Sequence, residues 1–142
     1  MRSKIIVSQE HRDIEEVLKK IIEFGNRNKF RIIPKDKVIS LGDIALSKEI
    51  GEDDYNYLEF SITDKDEFKT DITNSSVING KRYYFYIWIN HTTHDQAYHS
   101  LNEFLNEILS NYPDMLVTDE TFDGFYSLEQ IKNKQVPEWL LI

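Results

Sequence analysis

The segment Lys81-Arg82-Tyr83-Tyr84-Phe85-Tyr86-Ile87-Trp88-Ile89 constrains this chain more than any other. It is β-branched and aromatic almost throughout, the composition of a central strand. Asn79-Gly80 stands directly before it, the preferred pair for a two-residue type I′ turn. Ser75-Ser76-Val77-Ile78 supplies the other arm of that hairpin. Strict alternation points Tyr83, Phe85, Ile87 and Ile89 to one face of the sheet. It points Arg82, Tyr84, Tyr86, Trp88 and Asn90 to the other.

Two helical periodicities flank this β segment. Ile14, Val17, Leu18, Ile21 and Ile22 recur at helical spacing. They predict a helix over residues 9–24, with Ser8 as N-cap, Glu10 in the first turn and Gly25 as the stop. Ala97, Tyr98, Leu101, Phe104, Leu105, Ile108, Leu109 and Tyr112 line one face of a second helix over 94–111. Thr93 and Gln96 fit a capping box at its start, and Pro113 ends it.

Shorter strands are expected at residues 4–7, 30–33, 55–62 and 115–118, with a further piece at 38–41. Residues 42–54 read as a loop with a helical turn at 44–48, and 64–70 as a charged loop. Ser127 caps a short third helix. The apolar end, Val136 to Ile142, is expected to pack on the body or on a partner. No repeat and no Pro/Gly/Ser linker divides the 142 residues, so one domain spans residues 1–142. The expected fold class is α+β: a mostly antiparallel sheet, two long helices on one face in a split β-α-β or ferredoxin-like plan, and a short C-terminal helix.

Composition removes several chemistries. There is no cysteine, hence no thiolate nucleophile, thiolate metal site or disulfide. The five glycines are isolated, so no Walker loop or dinucleotide fingerprint can be assembled. No apolar run is long enough to span a membrane, and Met1 to Val7 does not read as a signal peptide. A cytoplasmic location is the expectation. Without a signal peptide, the sequons Asn74-Ser75-Ser76 and Asn90-His91-Thr92 carry no meaning.

The 17 basic residues face 25 acidic ones, a formal charge of −8. Between Tyr83 and Ile131 there is no Lys or Arg, while Asp95, Glu103, Glu107, Asp114, Asp119, Glu120, Asp123 and Glu129 fall there. One sign of charge repels phosphate backbones and speeds association with cationic partners. It equally keeps a protein soluble. No Lys/Arg cluster suited to nucleic acid is present.

His91, His94, Asp95 and His99 invite a metal or small-ligand reading. Their spacing opposes it, because a helical metal pair needs i, i+3 or i, i+4 on one face and His94 to His99 is i+5. Polar residues at a strand-to-helix junction explain them as well. No metal or other cofactor is expected, and no catalytic residue is assigned. Glu103 and Glu107 lie i, i+4 on the outer face of the second helix, where like charges repel by ~0.2–0.5 kcal/mol. They are either a solvated face or an anchor for a cationic partner. The Tyr84, Tyr86, Trp88 row has three readings. It is a second small core closed by Trp139-Leu140-Leu141-Ile142, a set of interface anchors, or a base-stacking surface of the kind RNA-recognition sheets carry.

The aromatic strand, the helix from His94-Asp95-Gln96-Ala97-Tyr98 to Asn111, Met115 to Glu120, and Phe125 to Ile131 together resemble one functional group. It is the immunity proteins of bacterial polymorphic toxins, including those of contact-dependent growth inhibition. The resemblance implies a non-enzymatic inhibitor that binds a cognate, basic, nuclease-type toxin domain. It implies no nucleic-acid or membrane partner, and a monomer or weak homodimer. The partner-binding candidates are Glu103, Glu107, Asp119, Glu120 and Asp123, with Tyr84, Tyr86 and Trp88 as aromatic anchors. An enzyme or small-ligand protein using the histidine region, and an aromatic-sheet RNA binder, are the alternatives.

Overall fold

A computed structural model describes residues 2–34, 43–52, 54–64, 77–78, 81–93 and 95–140. Its elements run β1 (Arg2–Ser8), α1 (Ile14–Arg27), β2 (Arg31–Pro34), β3 (Asp43–Gly51), β4 (Asp54–Asp64), β5 (Val77–Ile78), β6 (Lys81–Arg82), β7 (Phe85–His91), α2 (Asp95–Asn111), β8 (Leu116–Thr118) and α3 (Leu128–Lys132). A 3₁₀ turn follows at Glu138–Leu140. Six strands form one sheet in the order β2-β3-β4-β7-β1-β8. Every pairing in it is antiparallel. The α+β expectation therefore holds. Strand β7 lies between β1 and β4, and β8 lies on the other side of β1, which is the split β-α-β arrangement. The β2-β3 hairpin extends the sheet beyond β4.

The helices cover one face. Val17, Leu18, Ile21 and Phe24 of α1 and Leu101, Phe104, Leu105, Ile108 and Leu109 of α2 join Leu46, Phe60, Ile87 and Ile6 of the sheet in one buried cluster. Gly25 lies where α1 meets the sheet. A Cβ there would stand 2.7 Å from Leu46 Cδ2, so the glycine sets the closeness of helix and strand.

Helix α1 starts later than expected. Ser8 ends β1, and its hydroxyl donates to Asp114 Oδ2 at 2.6 Å. The cap is Asp13, whose carboxylate accepts the Glu15 N–H. Nor does Gly25 stop the helix. Asn28 caps it and Lys29 takes the left-handed conformation, φ 63°. Phe30 N–H reaches Gly25 O and Lys29 N–H reaches Asn26 O, the two bonds of a Schellman motif. Phe30 also stacks on Phe24, 6.2 Å between ring centroids.

Residues 43–51 form a strand, not the expected loop with a helical turn. Ile44 and Leu46 face the helices and pair with Phe60 and Leu58 of β4, which fixes an extended chain across an acidic stretch. The expected piece at 38–41, the loop after Asp64 and the Asn79-Gly80 turn lie outside the described residues. The flanking pairs Val77↔Arg82 and Ile78↔Lys81 are formed.

The second face is closed differently from the expectation. Ile5, Val7, Tyr83 and Tyr86 are buried there, with Trp88, Leu116, Phe122 and Phe125 packed on them. Among the described residues the cover is the loop after β8; the Trp139 side chain and residues 141–142 lie outside the described residues. Leu140 of the tail is buried in the helix-side core. Tyr83 also lies on the face of Tyr86, against the alternation. Residues 83 and 84 stand between β6 and β7, outside any strand, so the two-residue period breaks there.

Candidate functional site

The register of the sheet defines what its helix-free face carries. One row across it runs Ile33, Ala45, Glu59, Asn90, Ser3. The next runs Asp43, Ser61, Trp88, Ile5, Thr118, and a third Thr63, Tyr86, Val7, Leu116. On the other side of the first row lie Arg31, Ser47 and Tyr57, then Glu49 and Tyr55. Among the described residues, β3, β4, β7, β1 and β8 thus place Asp43, Glu49 and Glu59 on this face and no Lys or Arg. Arg31, on the edge strand β2, is the exception.

Hydrogen bonds order the middle of the face. Ser3 Oγ donates to Asn90 Oδ1. Asn90 Nδ2 donates to Glu59 Oε1 at 3.5 Å, and Tyr57 OH donates to Glu59 Oε2 at 3.2 Å. Ser61 Oγ donates to Asp43 Oδ1 at 2.8 Å. Tyr55 is an exposed large ring, 47% accessible.

The loop after β8 adds the remaining acids. Asp119 Oδ1 accepts the Thr121 N–H and hydroxyl at 3.0 and 2.6 Å, and Phe122 N–H reaches Asp119 O. Phe122 follows with φ 55°, a conformation rare for an aromatic residue. It is held by edge contact with Tyr86 and by Phe125, which itself stacks on Tyr83 at 5.2 Å. At Gly124 a Cβ would meet the Tyr126 hydroxyl at 2.3 Å, so a side chain there requires the Tyr126 ring to shift. Tyr126 and Val117 exchange both backbone hydrogen bonds, and this tacks the loop to the sheet edge.

The eight residues expected to bind a partner do not form one patch. Glu103 and Glu107 belong to the helix layer. Glu103 pairs with His99 at 2.7 Å, and Glu107 with Arg27. Asp119, Glu120 and Asp123 lie on the loop over the opposite face, beside half-buried Trp88. Tyr86 is buried at 2%. Tyr84 packs against His11 with tilted rings, 4.5 Å between centroids, and is not part of Trp88's cluster.

The histidines separate too. His91 is wholly buried and His99 is exposed on α2, while His94 lies outside the described residues. His91 Nδ1 contacts Thr92 O at 2.8 Å. A carbonyl only accepts, so Nδ1 carries the proton and Nε2 accepts from Lys4 Nζ at 3.2 Å. Burial pulls His91 down to about 4 and Lys4 down to about 8. For His91 the Thr92 contact opposes that shift, and for Lys4 the nearby Asp119 and Glu120 charges do. Among the described residues no group of three or more His, Asp or Glu could hold a metal ion.

Comparison with protein-family models, curated proteins and solved structures finds no match to this chain.

One further cluster joins residues that no sequence motif links. Buried Asp64 accepts the Arg12 N–H at 2.9 Å and contacts His11 Nδ1 at 3.2 Å, so one carboxylate orients the imidazole. Arg12 pairs with Glu10 and Asp114 and lies over the Tyr112 ring at 4.9 Å. Burial alone would raise Asp114, but the Ser8 hydroxyl and the Arg12 guanidinium outweigh it and hold the carboxyl below its usual value. His11 and Asp64 are 53 positions apart in the chain, and no local pattern links them. The cluster joins the segment before α1 to the end of β4 and to the segment between α2 and β8.

Proposed function

We propose that this chain is a non-enzymatic protein-binding module whose helix-free face takes a cationic protein domain, in the manner of a toxin-neutralising immunity protein. The observation that carries the reading is the charge map of that face. Five adjoining strands present acids and hydroxyls without a described basic side chain, and the loop over the same face adds Asp119, Glu120 and Asp123. Tyr55, Tyr57, Trp88 and Phe122 supply partly or fully exposed rings beside them. Rings with polar tips and complementary charge are what a protein interface uses for anchoring and for fast association. The same acids disfavour a phosphate backbone, which weighs against an RNA-stacking sheet. The helix-side acids Glu103 and Glu107 already have partners within the chain, so the reading places them outside the interface.

The test is capture from the native host with the full chain as bait, followed by mass spectrometry. The expected result is a stoichiometric protein carrying a small basic domain, whose toxicity the bait suppresses when the two are co-expressed. Recovery of the bait alone, or of an acidic partner, would count against the reading.

A further inference from the structure

The chain after Arg82 contains two basic residues, Lys132 and Lys134. Both line one groove of about 380 Å³ between α2, α3 and the 3₁₀ turn. Its apolar wall is Leu105, Leu128, Ile131 and Leu140, and Asn102 and Asn106 line the α2 side. The volume is within the range of small-ligand sites, and an apolar lining with few polar groups is their usual make-up. Asn133 caps α3 and Lys134 sits at φ 56°, closing a Schellman motif through Gln135 N–H to Gln130 O and Lys134 N–H to Ile131 O. Lysine holds this left-handed position as Lys29 does after α1, and here it stands at the rim of the groove. Neither lysine is ion-paired with a described residue.

We infer that this groove is a binding site for a small amphipathic carboxylate. The apolar body would lie on Leu105, Leu128, Ile131 and Leu140, and the carboxylate would be held by the Lys132 and Lys134 ammonium groups. An uncharged ligand would satisfy the wall and leave the cations unused. A cationic one would be repelled at the rim. The site lies in the helix layer, away from the sheet face assigned to a protein partner, so the two readings stand or fall separately.

The experiment is calorimetric titration of the full chain with octanoate, octanol and octylamine, with amide NMR shifts recorded on the octanoate series. Expected are saturable one-to-one uptake of octanoate, shift changes confined to α2, α3 and residues 138–140, and affinity for octanol and octylamine weaker by about tenfold or more. Lys132→Gln with Lys134→Asn should weaken octanoate about tenfold, since two exposed cation contacts are lost. Asparagine tolerates the left-handed conformation, so the turn is kept. No saturation in the millimolar range, octanol or octylamine binding as tightly as octanoate, or shifts centred elsewhere would each overturn the inference. The NMR map on the unaltered chain does so without relying on the variant.

Discussion

Lys4 Nζ donates to the Nε2 of His91 across 3.2 Å, and both side chains are buried between the sheet and α2. Tyr98 covers the imidazole edge-on at 5.6 Å. Lys4 lies on the helix side of β1, in the row of Ile44, Phe60 and Ile89. A cation and a neutral imidazole thus share one contact in a layer that also buries Asn56, whose amide donates to Gln96 O and Ser100 Oγ of α2.

That pair makes stability depend on pH. His91 is lowered from 6.5 to about 4 on folding, so between those values the unfolded chain binds the proton and the folded chain does not. Stability is present above 6.5 and is lost as pH falls towards 4. Denaturant unfolding at pH 7 and pH 5 should differ by about 2 kcal/mol. Lys4, lowered to about 8, acts at the other end, where stability rises with pH from about 8 to 10.5. Lys4→Met with His91→Phe should abolish both slopes. The double variant should be at least as stable as the parent at pH 7, because a buried polar pair replaced by apolar groups is often neutral or stabilising. An unchanged acid slope in that variant would assign the effect to other groups.

Lys29 offers a stability gain. It holds the left-handed position of the α1 Schellman motif, where a side chain is strained and glycine is not. Lys29→Gly should raise stability by about 0.5–1 kcal/mol, part of the relief being offset by the freer unfolded chain. Thermal unfolding checks it. A lower midpoint would mean that contacts of the lysine stem outweigh the strain.

Gly124→Ala should act in the opposite direction. The added methyl collides with the Tyr126 ring, and the Val117–Tyr126 pair that fastens the loop is the feature at risk. The expected loss is about 1–3 kcal/mol. Hydrogen exchange at Val117 and Tyr126 should quicken more than exchange in β7. Uniform quickening would show global destabilisation instead.

Both long helices were readable because Val17 to Ile22 and Leu101 to Leu109 repeat at helical spacing. Their ends were less so. Ser8 and Asp13 are both good caps, and only the bond from Ser8 to Asp114 shows that the strand claims Ser8. Glu49, Glu52 and Asp54 give the β3–β4 connection the composition of a loop, while pairing with β2 and β4 makes 43–51 a strand. The cover of the second face was hidden in Phe122 and Phe125, which sit in a loop and obey no period. The acidic character of the C-terminal half was plain in the sequence. Its division between two faces, and its extension by Asp43, Glu49 and Glu59, required the register.

The central claim concerns which acids meet the partner, and paired charge reversals test it. Glu49, Glu120 and Asp123 are exposed on the helix-free side. Glu103 and Glu107 serve as the helix-side control. Capture from the native host should be run in parallel with the parent, with Glu49→Lys/Glu120→Lys/Asp123→Lys, and with Glu103→Lys/Glu107→Lys. The account predicts that the helix-free triple variant loses the basic partner while the helix-side double variant retains it. Equal capture by all three, or loss confined to the helix-side variant, would contradict it.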